Sequence, residues 1–239
     1  MDHLAPASKT VAIMQPYFFP YLGYFQLLHA ADTFVLLDNV QMITRGWVHR
    51  NRILLAGEPH FLGVPLQNKT QRQLICETKI SASPWQENFL KTLHHAYCRA
   101  PFYSTVIEVI QSVLASPGES IAALARQSIE KICQYLGEHR SLEWASAIPL
   151  ADDVKGTARI LQLCTYLNAT HYVNLPGGKE LYQQADFVLK KMDLKFLSPT
   201  LTPYKQFNND FVSALSMIDV LMFNSVEEVL AKLQEYSFE

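Results

Sequence analysis

Two prolines set four residues apart constrain this chain more than any other feature. The run Val11-Ala12-Ile13-Met14 suits a buried strand, and Pro16 and Pro20 then forbid both ladder pairing and a helix until Tyr21. A loop therefore sits at the strand's carboxyl end. Leu22, Phe25, Gln26, Leu28 and His29 recur at near-helical spacing, which predicts a helix from about Tyr21 to Ala30. Thr33 to Leu37 reads as a second buried strand ending at Asp38. Such a unit makes the two strands parallel if they share a sheet. In open α/β sheets ligands bind beyond the carboxyl ends of the strands, where helix amino termini leave unpaired backbone donors.

The remaining chain alternates in the same way. Two apolar runs around Ala56-Gly57-Glu58 suggest a hairpin, and Leu74 to Ile80 is read as a further strand. Ser83-Pro84-Trp85 predicts a capped helix start with proline at the first position and a helix to about Tyr97. Phe102 to Leu114 and Ser120 to Leu136 read as two more helices, the second capped by Ser120 and stopped by Gly137. Leu142 to Ile148 reads as a strand, Gly156 to Leu167 as a helix and His171 to Leu175 as a strand. Glu180 to Met192 has the pattern of an amphipathic helix, Lys195 to Leu197 that of a strand, and Phe211 to Met222 and Val226 to Tyr236 read as closing helices. The expectation is one α/β domain over residues 1–239, with a Rossmann-like, mostly parallel sheet and residues 84–137 as an inserted helical segment.

A hydrophobic content of 49% supports a real core, and a formal charge of −2 gives no global attraction to nucleic acid or an anionic bilayer. No apolar run approaches the roughly 20 residues that span a bilayer, and the first ten residues lack the features of a signal peptide, so a cytoplasmic location is expected. Cys76, Cys98, Cys133 and Cys164 are far apart, which argues against both a zinc ribbon and a disulfide framework. The oligomeric state is not legible.

Three groups of residues have chemical potential. Gln15, Tyr17, Tyr21, Gly23 and Tyr24 surround the first helix start, where a glycine lets an anion approach backbone amides or serves only close packing among core aromatics. Asp38, Asn39, Gln41, Arg45, Trp47, His49, Arg50, Asn51 and Arg52 form a dense polar segment beyond the second strand. Arginine suits carboxylate or phosphate, Trp47 suits a sugar or base, and His49 is a candidate general base; a solvated loop is the alternative. Pro176-Gly177-Gly178-Lys179, with Lys155 and Arg159 upstream, has glycines and a lysine for a phosphate but not the P-loop spacing. Asp152 and Asp153 suit a hard cation or a helix amino-terminal charge cluster, and His94-His95 is a poor chelate on a helix. No metal site is expected.

The chain resembles the WbqC-like proteins in Gln15-Pro16, Pro20-x-x-Gly23-Tyr24-Phe25, Asp32-x-Phe34-Val35-x-Leu37-Asp38-x-Val40-Gln41 and Trp47-x-x-Arg50-Asn51-Arg52. Gly156-Thr157, Tyr172, Gly177-Gly178 with Tyr182, Pro203-Tyr204-x-Gln206 and Leu215-Ser216-x-Ile218-Asp219 continue the likeness. The resemblance implies a role in surface-polysaccharide biosynthesis of the O-antigen type. A more distant architectural likeness is to nucleotidylyltransferases and pantothenate synthetase, with Pro20-Tyr-Leu-Gly-Tyr24 where those carry H-x-G-H. Tyr21 and Tyr24 replace both histidines, and a tyrosine cannot offer an imidazolium to an α-phosphate, so the likeness does not carry adenylyl transfer.

The leading expectation is an enzyme that transfers or ligates an acyl or aminoacyl group to a nucleotide-linked or lipid-linked amino sugar. Asp38 and His49 are the candidate catalytic residues. Gln15, Tyr17, Gly23, Tyr24, Gln41, Trp47, Arg50, Asn51, Arg52, Gly177, Gly178 and Tyr182 are the candidate binding residues. The partner is an anionic small molecule, with an acyl donor or ATP as possible cofactor. The alternatives are ATP-dependent nucleotidylyl transfer and a non-catalytic sugar-binding or scaffold protein.

Overall fold

A computed structural model describes residues 8–43, 45–67, 72–151, 154–208 and 210–239. The first strand, β1 (Thr10–Met14), stops before Pro16, and helix α1 (Leu22–Ala30) starts after Pro20. Strand β2 (Thr33–Leu36) lies parallel to β1, with Val11 opposite Thr33 and Met14 opposite Leu36. An antiparallel hairpin follows, β3 (Arg50–Leu55) and β4 (Glu58–Gly63), turning at Ala56 and Gly57, whose φ angles of 53° and 84° are both left-handed. Three helices come next, α2 (Trp85–Tyr97), α3 (Tyr103–Leu114) and α4 (Ile121–Leu136). The chain re-enters the sheet at β5 (Leu142–Trp144), crosses through α5 (Gly156–Tyr166) to β6 (His171–Asn174), and continues through the short α6 (Gln184–Val188) to β7 (Asp193–Pro199). Helices α7 (Met217–Phe223) and α8 (Val226–Leu233) and strand β8 (Tyr236–Phe238) complete it.

The six-stranded sheet has the order β5-β2-β1-β6-β7-β8, parallel except for β8. Leaving the separate hairpin out of the numbering, this is the 3-2-1-4-5-6 order of the Rossmann fold, so the expected α/β class holds. Alternate residues of each strand serve opposite faces. Ala12, Phe34, Leu36 and Val173 join a core formed with α1, α2, α3, α4, α7 and α8, whereas Val11, Ile13, Val35 and Tyr172 join one formed with α5 and α6. The strand order reverses between the parallel neighbours β1 and β6. Beyond the carboxyl ends of these two strands the outgoing segments diverge and leave a crevice.

Several sequence-based element assignments are corrected. Residues 74–80 form turns and isolated bridges instead of a strand, because the Thr78 hydroxyl donates to the Leu74 carbonyl at 2.8 Å and closes the segment on itself. Ser83 is not the cap of α2, which starts at Trp85 with Pro84 preceding it. The strand at 142 ends at Trp144, since Asp38 binds both the backbone N–H and the hydroxyl of Ser146 and turns the chain into a 3-10 helix. Residues 180–192 are not one helix. Tyr182 is extended, and its ring packs edge-on against Tyr172 and Phe187 at 5.6 and 5.8 Å, a tertiary contact that overrides local propensity. Ala214 at φ 53° breaks the helix proposed from 211, and Ser216 caps a shorter one by accepting from the Ile218 N–H. The last helix stops at Leu233, and Tyr236–Phe238 pairs with β7 instead of continuing it.

Candidate functional site

The loop after β1 is held by its own backbone. The Phe19 N–H donates to the Ser128 hydroxyl on α4, and the Phe19 carbonyl accepts from Asn51 Nδ2 at 2.9 Å and from the Ser216 hydroxyl at 2.7 Å. Phe18 and Phe19 are buried, with Phe19 at φ 43°. This pinning fixes Gln15, Tyr17 and Tyr21 on one side of the crevice.

A cleft of about 640 Å³ occupies the crevice. Its floor is Ile13 and Met14 from β1 with Gln15 just beyond, and Asn174 from β6 with Leu175 just beyond; Tyr17, Tyr21, Trp47, Asn51, Arg52 and Ala214 form one wall, and Pro176, Gly177, Gly178, Leu181, Tyr182 and Ile160 the other. Leu37 and Ile43 complete the lining. A larger cavity of about 800 Å³ opens elsewhere, between the hairpin turn and the end of α2. The topology favours the smaller one, because only it lies where the strand order reverses.

Arg52 is the one cationic side chain among the described residues of the cleft. One guanidinium N–H donates to the Ala214 carbonyl at 3.2 Å and the group lies 5.7 Å from the centre of the Trp47 ring. Its Nε is buried and has no hydrogen-bond partner among the described residues. A buried donor without a partner costs about 1–3 kcal/mol, so it is a natural point of attachment for an acceptor on a ligand. Asn174, buried, donates to the hydroxyls of Tyr172 and Tyr182 at 3.1 and 3.4 Å and accepts from the Leu175 N–H at 2.8 Å. A Cβ on Gly178 would stand 2.8 Å from the Asn174 amide nitrogen, whereas one on Gly177 would meet nothing within 4 Å. Gly178 is therefore required by the protein, and Gly177 leaves space.

Burial raises the pKa of Tyr17, Tyr21 and Tyr182, that of Tyr21 to about 12 with help from the nearby Tyr17. All three remain neutral hydroxyls at physiological pH and act as hydrogen-bond donors and acceptors, not as phenolate bases. No carboxylate, imidazole, thiol or lysine is among the described residues that line the cleft. The arrangement can stack a ring, hold one anionic group and donate hydrogen bonds. Its chemical contribution is positioning and polarisation.

Gln15, Tyr17, Trp47, Asn51, Arg52, Gly177, Gly178 and Tyr182 thus come together from sequence positions far apart. The other candidates lie outside the lining. Asp38 is buried, with its two oxygens accepting from the Ser146 N–H and hydroxyl at 2.9 and 2.6 Å. His49 Nδ1 sits 3.1 Å from the Val64 carbonyl, joining it to the segment just after β4. Gln41 bridges to Leu74 and is exposed. Arg50 folds back onto its own loop, donating to the carbonyls of Gly46 and Arg45, with its guanidinium 4.4 Å from the centre of the Phe61 ring. Tyr24 is fully buried and donates to the Gln15 carbonyl at 3.0 Å. A Cβ on Gly23 would lie 2.5 Å from the Tyr21 ring and 2.8 Å from Pro199, so the packing alternative describes this glycine. Lys179 turns away to pair with Glu239. Asp152 and Asp153 lie outside the described residues, and among the described residues no group of three or more His, Cys, Asp or Glu is placed to hold a metal.

The model of the WbqC-like protein family matches residues 15–231, a span that contains every lining residue except Ile13 and Met14. The chain belongs to the WbqC-like family. Similar to this WbqC-like chain is the uncharacterized protein Rv1507c of Mycobacterium tuberculosis (strain ATCC 25618 / H37Rv), 30% identical over 219 residues that cover 90% of this chain and 94% of the relative. No solved structure matches.

Two features of this WbqC-like protein escaped sequence reasoning. Asn174, at the end of an otherwise apolar strand and before Pro-Gly-Gly, was the detectable signal for the cleft floor. The second is a buried hub outside the cleft: Asp219 accepts from the hydroxyls of Tyr97 and Tyr204 at 2.7 and 2.6 Å and from Gln206 Nε2 at 2.6 Å. Its burial raises the pKa of the carboxyl, and the three donors oppose the rise. An acid inside the apolar run 215–222 was the sign of it.

Proposed function

We propose that this protein is a cytoplasmic enzyme of surface-polysaccharide biosynthesis that binds an activated amino sugar in the cleft between β1 and β6 and transfers or ligates an acyl or aminoacyl group to it. The observation that carries the reading is the buried Arg52 Nε, unpartnered among the described residues, on an aromatic-lined wall at the point where the strand order reverses. Arg52 holds a phosphate of the nucleotide- or lipid-linked substrate. Trp47, at the mouth, stacks on a base or sugar ring, and Gln15 and Tyr182 orient hydroxyls. The open space at Gly177 admits the ligand next to the backbone.

In this reaction the neutral amine of the sugar attacks the activated acyl carbon. A C–N bond forms, the bond from that carbon to its leaving group breaks, the leaving group departs with the electron pair, and the amine proton passes to water. An amine that is its own nucleophile suits a cleft whose described residues include no general base. Protonated Tyr17 and Tyr21 hydroxyls donate to the oxyanion. Nucleotidylyl transfer is less well supported, because tyrosines stand where that chemistry uses histidines.

Titration calorimetry with nucleotide-linked amino and neutral sugars tests the binding step, and mass spectrometry with added acyl donors tests the transfer. Binding that weakens about tenfold or more in Arg52→Ala and is unchanged in Arg50→Ala is the expected result. Equal loss in both variants, or binding indifferent to Arg52, overturns the assignment.

A further inference from the structure

The larger cavity, of about 800 Å³, is separate from the cleft and has a different chemistry. Its apolar part is made by Leu54, Phe207 and Phe223, with the two phenylalanine rings packed edge-on at 4.8 Å. His95 and Arg99, near the end of α2, and Lys205, on the loop after β7, also line the cavity. No Asp or Glu is among its described lining residues, in a chain whose formal charge is −2. None of the three side chains forms an ion pair or a hydrogen bond with a described residue, although Lys179, Arg126 and Arg140 elsewhere on the surface all pair with carboxylates. The Arg99 and Lys205 side chains, both exposed, therefore keep their donors available to an anion that enters the cavity.

The walls of this cavity are also held more firmly than surface loops usually are. Tyr97 accepts from the Leu54 N–H at 2.8 Å and donates to Asp219, while Tyr204 and Gln206, on either side of Lys205, donate to the same carboxylate. The hub therefore fixes the hairpin, α2 and the Lys205 loop relative to one another. That is the preorganisation that a small-molecule site requires.

We propose that this cavity is a second binding site, for a small molecule that carries a phosphate or carboxylate on an apolar body. The head group takes Arg99 and Lys205, with His95 beside them, and the body lies on Leu54, Phe207 and Phe223. Strand β3 lines both sites, the cleft with Asn51 and Arg52 and this cavity with Leu54 and Leu55. The assignment does not depend on what the cleft binds.

The probes are octyl phosphate, octanoate and octanol, each titrated into the full chain below its micelle concentration and followed by calorimetry and by ¹H–¹⁵N NMR shifts. One of the two anions, or both, binds with shifts centred on Arg99 and Lys205, and octanol binds at least about tenfold more weakly. The relative affinity of phosphate and carboxylate identifies the head group. The Arg99→Ala/Lys205→Ala double variant, both positions being exposed, loses at least about tenfold in affinity, while Arg52→Ala leaves this binding unchanged. Binding that survives the double variant, equal binding of octanol, or loss in Arg52→Ala overturns the proposal.

Discussion

Replacing Asp219 with alanine removes one acceptor shared by three donors, two on the buried residues Tyr97 and Gln206 and one on the half-buried Tyr204. The bonds from Tyr97, Tyr204 and Gln206 measure 2.7, 2.6 and 2.6 Å, and hydrogen bonds to a charged group contribute about 1.5–3 kcal/mol each. Their full sum overstates the loss. The carboxylate is itself desolvated, the two tyrosine hydroxyls can rotate, and Gln206 Nε2 retains the Val212 carbonyl at 3.2 Å. What remains is the cost of leaving about two donors in a closed interior, and the expected destabilisation is about 3–5 kcal/mol. In urea unfolding followed by tryptophan fluorescence, a slope of about 2–3 kcal/mol/M turns this into a midpoint lower by about 1–2 M. A loss below about 1 kcal/mol would refute the idea that the hub ties α2, α7 and the loop after β7 together. The pH dependence has a definite sign. Burial raises the folded pKa above the ordinary 3.8, so the carboxyl's contribution is complete below that value and declines as pH rises through the folded one. Relative to Asp219→Asn, which cannot titrate, the wild type should lose stability on going upward from about pH 4.

Three further outcomes follow from the packing. Gly23→Ala gains helix propensity of about 1 kcal/mol but drives a methyl against Tyr21 and Pro199, so a net loss of about 1–2 kcal/mol is expected by thermal unfolding, together with weaker ligand binding as the Tyr21 ring shifts. Gly177→Ala meets no protein atom, so its melting temperature should match the wild type while ligand affinity falls; a stability loss with intact binding would contradict the role given to that space. In thiol labelling of the native protein, exposed Cys98 should react first, whereas Cys133 and Cys164, buried and with pKa values pushed up to about 12, should react only on unfolding.

The sheet was legible because its strands are short apolar runs bounded by proline, glycine and asparagine, and because two β-α-β units fix handedness and parallel pairing. The cleft floor followed from the position of Gln15 at the end of the first strand. Elements whose form depends on distant partners were not legible. Tyr182 leaves a helical pattern to pack on Tyr172 and Phe187, and β8 exists only because β7 offers an edge. Similarly, Arg50 and Arg52 share one face of the hairpin strand β3, and sequence alone does not say that the loop carbonyls of Arg45 and Gly46 take up Arg50 while Arg52 meets the cleft. Asp38 offered the right chemistry at a strand end, but it is used to hold Ser146 and the turn after β5.

The most direct measurement is a crystal structure of the protein soaked with a nucleotide-linked amino sugar. The account predicts a ligand across the carboxyl ends of β1 and β6, with an anionic oxygen in hydrogen-bond contact with Arg52 Nε and a ring against Trp47. Density absent from this crevice at saturating ligand, or a ligand there whose charged group avoids Arg52, would contradict it.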